Sequence, residues 1–457
     1  MRRVDIAVAG SILVPDSVGI PAIARIVDAF SYPNPDYMTN VRFGNARDFE
    51  IAPRISIVEQ LAGGVFPVPR GGVDILREIL ARFDMIPNWI DGRQSGKRIE
   101  IPTPFARTLR PYQANAVERI SKLVQSMVVL PCAGGKTTIG AAAIERVGRT
   151  TLVLVHTKDL ADQWIETIRE TLGIEPGVIF DGKIDVRDVT VATVQTLRGL
   201  DIESITANFA FVILDEAHHA PADTFRTILA RTPARWRVGL TATPEREDSI
   251  PVGWFFGSLA EHKTARDLIR DGYLMPPVIE FPASDFSFKY DGPKTKRIAT
   301  LERELIANKR RNELIADLAV TNAHGGETVL VLSNRREHCA TLAGLIESCG
   351  VPVVSLTGAA ARGKRKKTLQ SLRDGSLPVV VATSLADEGL DVERLSRLVL
   401  AFPECAEGRT VQRTGRLMRR FDGKAPKLYD VIDPNVETLA RRAQQRRRAY
   451  RKLGLIE

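Results

Sequence analysis

Short apolar runs alternate with longer segments of helical periodicity through most of the 457-residue chain. Between Thr108 and Ile250 the runs fall at 127–131, 151–155, 189–193, 210–214 and 236–240. A second set falls at 328–332, 352–356, 378–382, 397–401 and 428–432. Runs of this length predict strands buried on both faces, and strand–helix alternation predicts a parallel sheet covered on both sides. The chain therefore reads as α/β, with two parallel-sheet domains in tandem at 106–255 and 311–435.

Ahead of them, residues 1–105 read as a small α+β domain. Strands are predicted at Ile6–Ala9, Ser11–Val14 and Phe49–Ala52, and helices at Pro21–Phe30 and Gly72–Phe83. The Pro/Gly/Arg-rich stretch 91–104 reads as a linker. Residues 256–310 read as a connecting segment, with an amphipathic helix at Ala265–Asp271 and a polar surface stretch at Asp285–Arg297. The chain closes with a basic helix, Val436–Leu453, in the segment 436–457.

Composition narrows the class. Hydrophobic residues make up 44% of the chain, enough for buried cores. No apolar run approaches the roughly 20 residues of a membrane span, and the N-terminus does not read as a signal peptide. The four cysteines form no C-x-x-C pair, which argues against a zinc site or disulfide framework and suits the cytoplasm. The net charge is +9. Residues 1–100 balance twelve Lys/Arg against twelve Asp/Glu, whereas 401–457 set fourteen against seven. Such concentration suggests a polyanionic partner, nucleic acid first; a solvated basic tail is the simpler alternative. The run Arg362–Lys367 carries the same two readings.

Chemistry enters with Leu130-Pro131-Cys132-Ala133-Gly134-Gly135-Lys136-Thr137-Thr138. An apolar strand, a glycine loop ending in Gly-Lys-Thr and a helix are the context of a phosphate-binding loop. Backbone N–H groups wrap the phosphates, the lysine adds a point charge and the hydroxyl binds Mg²⁺. The G-x-x-x-x-G-K-[ST] pattern is incomplete, because Leu130 holds the first glycine position; alone, the loop could be an ordinary turn. Asp215-Glu216-Ala217-His218 follows the strand Phe211–Leu214, which sets two acids at a sheet edge where one carboxylate can hold Mg²⁺ and the next can orient water. Gln412-Arg413-Thr414-Gly415-Arg416-Leu417-Met418-Arg419 supplies guanidinium groups suited to a transferring phosphoryl group. On a helix, Arg416 and Arg419 would share one face. A merely solvated helix would not explain Gln412 and Gly415.

The order of these motifs resembles that of superfamily-two helicases and translocases of the DEAH type. Arg110-Pro111-Tyr112-Gln113 resembles their adenine motif. His156–Leu160 and Ala192–Thr196 resemble motifs Ia and Ib, Asp215–His218 motif II, and Thr241-Ala242-Thr243 motif III. Val331–Asn334, Ala382–Asp391 and Gln412–Arg419 resemble motifs IV, V and VI. Leu130-Pro131-Cys132, the Arg246-Glu247-Asp248 element and a small leading domain are most similar to the xeroderma pigmentosum group B-like DNA repair helicases and phage recombination helicases.

The resemblance implies two RecA-like domains, ATP and Mg²⁺ as cofactors, and DNA as partner, duplex or branched, with a single strand in the motor cleft. Movement would be 3′ to 5′, in repair, recombination or fork processing, in the cytoplasm or on a nucleoid. It implies roles for individual residues. Lys136 would contact the β- and γ-phosphates, Thr137 and Asp215 would hold Mg²⁺, and Glu216 would activate water. Arg416 and Arg419, with Gln412, would stabilise the transition state. Arg110 and Gln113 would read adenine, and Gly389 and Asp391 would line the nucleotide cleft. Lys158, Thr193, Arg246, Ser333 and Thr383 would touch nucleic acid, and residues 1–105 would contact duplex DNA. The paired His218-His219 does not mark a metal site in this setting. An RNA helicase or the motor subunit of a restriction or defence complex are the competing readings.

Overall fold

A computed structural model describes residues 2–34, 36–38, 51–243, 250–290, 292–358, 362–383, 392–404 and 407–457. The chain divides into two compact units: residues 1–130 with 135–262, and residues 131–134 with 263–457. Each is described by itself.

The first unit opens with a four-stranded sheet of order β5-β2-β1-β6, formed by β1 (Arg2–Val8), β2 (Ile12–Pro15), β5 (Val65–Val68) and β6 (Met85–Asp91). Helices α1 (Ile20–Ala29) and α2 (Val73–Arg82) bury Ile26, Leu76 and Leu80 against Ile6 and Val14. A ribbon of β3 (Ser31–Pro33) and β4 (Arg54–Ser56) sits beside it in sequence. Of the strand expected at Phe49–Ala52, the first two residues lie outside the described residues and Ile51 and Ala52 are not in a strand; the chain becomes extended only at β4.

The larger sheet has the order β10-β9-β11-β8-β12-β13-β7-β14. Its centre is β7 (Gln125–Val129), β8 (Thr151–Val155), β11 (Val189–Thr193), β12 (Phe211–Asp215) and β13 (Trp236–Thr241). These five pair in parallel, and β8, β11 and β12 are buried at every position. Burial on both faces is why β8 and β12 read as apolar runs up to their ends, while β11 buries Thr190 and Thr193 among its apolar residues. The flanking β9 (Gly177–Phe180) and the edge strands β10 (Lys183–Asp185) and β14 (Leu259–His262) were not revealed by the apolar runs; β14 lies within the expected connecting segment. Helices α3 (Pro111–Lys122), α4 (Lys136–Val147), α5 (Lys158–Leu172) and α6 (Asp223–Arg231) are the longer helices of this half.

The two sheets of this unit share one continuous core, running from Val4 and Ile6 to Leu154, Leu229 and Phe256. Two buried arginines bond across it. Arg70 donates to the carbonyls of Ala234 (2.6 Å) and Arg235 (2.9 Å), and Arg237 donates to those of Gly10 (3.1 Å) and Leu229 (2.7 Å). A Cβ at Gly10 would stand 1.9 Å from the Ala230 carbonyl oxygen, so only glycine permits that approach. The stretch 91–104 is not a free linker. Gln94 pairs with Ala234 and Arg98 with Arg149, and backbone bonds such as Gln94 N–H to Pro233 O (2.7 Å) fasten it down.

The second unit holds a six-stranded parallel sheet, order β15-β20-β19-β16-β18-β17. Its strands are β15 (Val278–Glu280), β16 (Val329–Leu332), β17 (Val353–Leu356), β18 (Val379–Ala382), β19 (Arg397–Leu400) and β20 (Lys427–Asp430). Its longer helices are α7 (Arg297–Ala307), α8 (Lys309–His324), α9 (Arg336–Ser348), α10 (Arg362–Asp374), α11 (Glu407–Leu417) and α12 (Glu437–Leu453), and a short helix at Ala265–Arg270 stands where the amphipathic one was expected. Within the stretch 285–297 expected at the surface, Phe286 is buried against Leu301, Leu305, Val436 and Leu439. The closing basic helix α12 is a packed element rather than a free tail. Arg446 pairs with Asp430 at 2.7 Å, Tyr450 donates to Asp430 at 3.0 Å, and Arg447 lies over the Phe281 ring.

Candidate active site

The glycine loop begins where β7 stops. Leu130 N–H still donates to the Thr241 carbonyl at 3.0 Å, so the position where the pattern expects glycine is an extension of the sheet, fully buried. The turn itself is made downstream. Gly134 N–H closes on Pro131 O at 3.0 Å, and Ala133 and Gly135 take φ of +65° and +81°. Left-handed residues in such a turn point successive N–H groups into a concavity that suits an anion. Gly135 is also the N-cap of α4, and a Cβ there would stand 2.2 Å from Gln113 Nε2. Lys136, Thr137 and Thr138 form the first turn of that helix.

Gln113 is buried, and its Oε1 accepts the Arg110 backbone N–H at 2.9 Å at the start of α3. Arg110 in turn donates to the Tyr112 hydroxyl at 3.1 Å.

Asp215 ends β12, and Glu216 turns the chain with φ +49°. Asp215 Oδ1 accepts the Glu216 N–H at 2.9 Å and Oδ2 accepts the indole N–H of Trp164 at 2.8 Å. The Lys136 ammonium stands 3.9 Å from Glu216 Oε1, with both side chains largely covered. His218 Nδ1 lies 3.3 Å from Glu216 Oε2 and 3.2 Å from Thr241 Oγ1. Thr241 Oγ1 donates to Thr243 O at 3.0 Å, which joins the Asp-Glu-Ala-His turn to the Thr-Ala-Thr turn.

Burial opposes ionisation of both acids. In Asp215 burial prevails, helped by the charge of Glu216, and the carboxyl sits above its usual range. In Glu216 burial is outweighed by the Lys136 ammonium and by His218 and His156, which hold it below the usual range. The result is an unlike pair: one acid reluctant to charge without a cation, and one held as carboxylate. Glu216 Oε2 is buried and has no well-formed hydrogen bond among the described residues. An oxygen-only donor set with a surplus of carboxylate fits a hard divalent cation beside a phosphate. Thr137 and Asp215 are the residues that would hold it.

The expected nucleic-acid contacts differ in kind. Lys158, at the start of α5, is exposed and paired with Asp181. Thr193 is buried, its hydroxyl donating to Thr196 at 2.9 Å. Ser333 is buried in a bonded network: its hydroxyl meets His338 Nδ1 at 2.9 Å, and His338 Nε2 meets Asn312 Oδ1 at 2.9 Å. Thr383 Oγ1 is buried and unbonded among the described residues. Arg246, Gly389 and Asp391 lie outside the described residues.

In the second unit, Gln412 and Arg416 stand half-buried on α11. The helix ends at Leu417, so Arg419 does not share its face with Arg416, contrary to the spacing argument. Three backbone groups gather there instead: Met275 N–H bonds Met418 O at 2.8 Å, and Lys424 Nζ donates to Arg419 O at 2.9 Å. Burial lowers the Arg419 pKa to about 10. Arg413 and Asn334 both bond the buried carboxylate of Glu404, which ties the sixth motif to the fourth.

Sequence reasoning missed Trp164 and Glu404, and gave His156 no role beyond its place in the stretch that resembles motif Ia. Trp164 carried one signal, an indole on the buried stripe of an amphipathic helix with a donor needing a partner.

Comparison with known proteins fixes the family. Residues 107–246 match the model described as type III restriction enzyme, res subunit, and residues 310–421 match the helicase conserved C-terminal domain. The chain is a helicase of superfamily two. It is 25% identical over 369 residues to a protein named DNA 3′-5′ translocase XPB2 from Sulfurisphaera tokodaii, covering 71% of this chain and 82% of that one. It is 28% identical to the DNA 3′-5′ helicase XPB of Kineococcus radiotolerans, covering 71% of this chain and 59% of that protein. The Pyrococcus furiosus Hef helicase domain shares the fold, with a TM-score of 0.51 at 17% identity, over 75% of this chain and all of that one (100%). As a superfamily-two helicase the chain is an ATP hydrolase. No described helix is long and apolar enough to cross a membrane.

Proposed function

We propose that this helicase couples ATP hydrolysis to 3′-to-5′ movement on DNA and to unwinding of duplex, forked or branched DNA in repair, recombination or fork processing. The observation that carries the chemistry is the unlike acid pair Asp215–Glu216 facing Lys136 at the end of β12. The DNA assignment is supported by relatives named as DNA translocases and helicases.

ATP is the substrate. The N–H groups of Ala133 to Thr137 and the Lys136 ammonium bind the phosphates, while Arg110 and Gln113 face the base. A bound Mg²⁺, held by Thr137 and Asp215, supplies positive charge to the phosphate oxygens. Glu216 orients the attacking water and takes its proton, a role that suits a carboxylate kept ionised. Trp164 fixes the Asp215 carboxylate, and His218 fixes Glu216. Arg416 and Arg419 supply transition-state charge and Gln412 a neutral hydrogen bond, with Gly389 and Asp391 in the nucleotide cleft.

Lys158 and Arg246 are proposed to contact the strand through their side chains. Thr193 at the end of β11, and Ser333 and Thr383 just past β16 and β18, act through backbone groups, since their side chains are buried. Phosphate contacts carry no sequence information, as translocation requires. Motor domains at 106–255 and 311–435, a connecting segment at 256–310, the helix 436–457 and a duplex-contacting 1–105 complete the proposal.

Strand displacement on a forked DNA substrate tests it. ATP-dependent release that disappears in Glu216→Gln is expected. Hydrolysis without release would leave a translocase that does not unwind.

A further inference from the structure

Three imidazoles stand in series behind Glu216. His156 follows directly on β8; its ring centroid is 4.7 Å from that of His219. His219 is 4.3 Å from His218 and stacks on Phe225 at 5.6 Å. His218 reaches Glu216 Oε2 at 3.3 Å. At the other end, His156 is bonded in sequence to Thr157, which caps α5 by accepting the Leu160 N–H at 3.3 Å, and then to exposed Lys158.

Two plainer roles fit poorly. No group of three described His, Cys, Asp or Glu residues is arranged to hold a metal. A histidine retained only to fill the core would have its ring nitrogens bonded, yet His156 Nδ1 is buried with no partner among the described residues. Leaving a buried polar atom unbonded costs about 1–3 kcal/mol. A second arrangement of the loop in which Nδ1 gains a partner would recover that energy. Packed rings do not shift singly, so a turn of His156 displaces His219 and His218 with it.

We propose that His156 is a positioning residue that passes occupancy of the Thr157–Lys158 loop by a nucleic-acid strand, through His219 and His218, to the Glu216 carboxylate. This rests on the proposed strand contact at Lys158. Its consequence is that a bound strand speeds hydrolysis by setting Glu216, and that removing the first ring uncouples the two events.

The test compares the full chain with His156→Ala, with the volume-keeping His156→Gln, and with His219→Ala. ATP hydrolysis is measured with and without a single-stranded DNA oligonucleotide. Affinity for that oligonucleotide is measured without nucleotide, and thermal unfolding is followed in parallel. The ratio of stimulated to unstimulated kcat is expected to fall about fivefold or more, the scale of an allosteric coupling, in His156→Ala and His219→Ala. DNA affinity and the KM for ATP should stay within about threefold, and a variant combining His156→Ala with His219→Ala should lose no more than either single one. An unchanged ratio, or a proportional fall in both rates, would overturn the inference, and His156→Gln decides the case if the alanine variant does not fold. Absence of stimulation in the unaltered protein would instead remove the functional reading beneath it.

Discussion

The indole N–H of Trp164 donates to Asp215 Oδ2 at 2.8 Å, with both side chains buried. Trp164 belongs to α5, which begins at Lys158, whereas Asp215 ends β12. One helix thus starts at the proposed strand contact and, two turns on, fixes the acid proposed to hold Mg²⁺. Trp164→Phe keeps most of the ring volume and removes the donor. Activity should fall about 10- to 100-fold, as for other groups that orient a metal ligand. The loss should appear as a lower kcat and a higher Mg²⁺ requirement, measured by titrating Mg²⁺ at saturating ATP.

Gly135 tests the anion cradle. Its φ of +81° and the 2.2 Å approach of Gln113 Nε2 leave no room for a methyl group. Gly135→Ala should cost about 1–3 kcal/mol of local strain and abolish ATP binding. Isothermal titration with a slowly hydrolysed ATP analogue reads the binding, and thermal unfolding reads the strain.

Arg70 tests whether the two sheets of the first unit stand or fall together. Arg70→Met leaves the carbonyls of Ala234 and Arg235 without their donors. Destabilisation of about 1–3 kcal/mol is expected, chiefly from the buried Ala234 acceptor, the Arg235 carbonyl being only partly buried. Deleting residues 1–104 should leave an aggregating chain, because Val4 to Met85 share a core with Leu154 and Phe256. A soluble, cooperatively folding remainder would show the core to be divisible.

His338 gives a pH signature in the second unit. Burial holds its pKa down at about 3, against 6.5 for a free imidazole. The unfolded chain therefore binds a proton below about pH 6.5 that the folded chain refuses until about pH 3, and stability falls as pH falls through that window. Between pH 6.5 and 5 the contribution is about 2 kcal/mol, at roughly 1.4 kcal/mol per pKa unit. Urea unfolding at both values should show this loss, and His338→Gln should flatten it.

The central strands of both sheets were legible because β8, β12, β16 and β18 are buried on both faces and so are apolar along their length, apart from Thr151 and Asp215 at strand ends. The same physics hid β10 and β14, which are short edge strands of mixed polarity. Gly135, Lys136, Asp215 and Glu216 were legible because phosphate and metal chemistry demands those residue types at strand ends. Trp164 was not, because a donor reaching from a helix to a strand 51 positions away leaves no local pattern. The stretch 91–104 looked like a linker because Pro, Gly and Arg mark turns, whereas its backbone bonds to Pro233 and Gly148 depend on a fold the local sequence does not encode. Arg419 illustrates the limit of spacing: an i, i+3 relation holds only while the helix continues, and α11 stops two residues short.

The central claim is that hydrolysis at Glu216 is spent on DNA. The most direct measurement is the ATPase rate of the full chain with no nucleic acid, with single-stranded DNA, with duplex or forked DNA, and with RNA, each repeated in Glu216→Gln. Stimulation by DNA exceeding that by RNA, and lost in Glu216→Gln, is the expected result. Stimulation by RNA alone, or none by any nucleic acid, would contradict it.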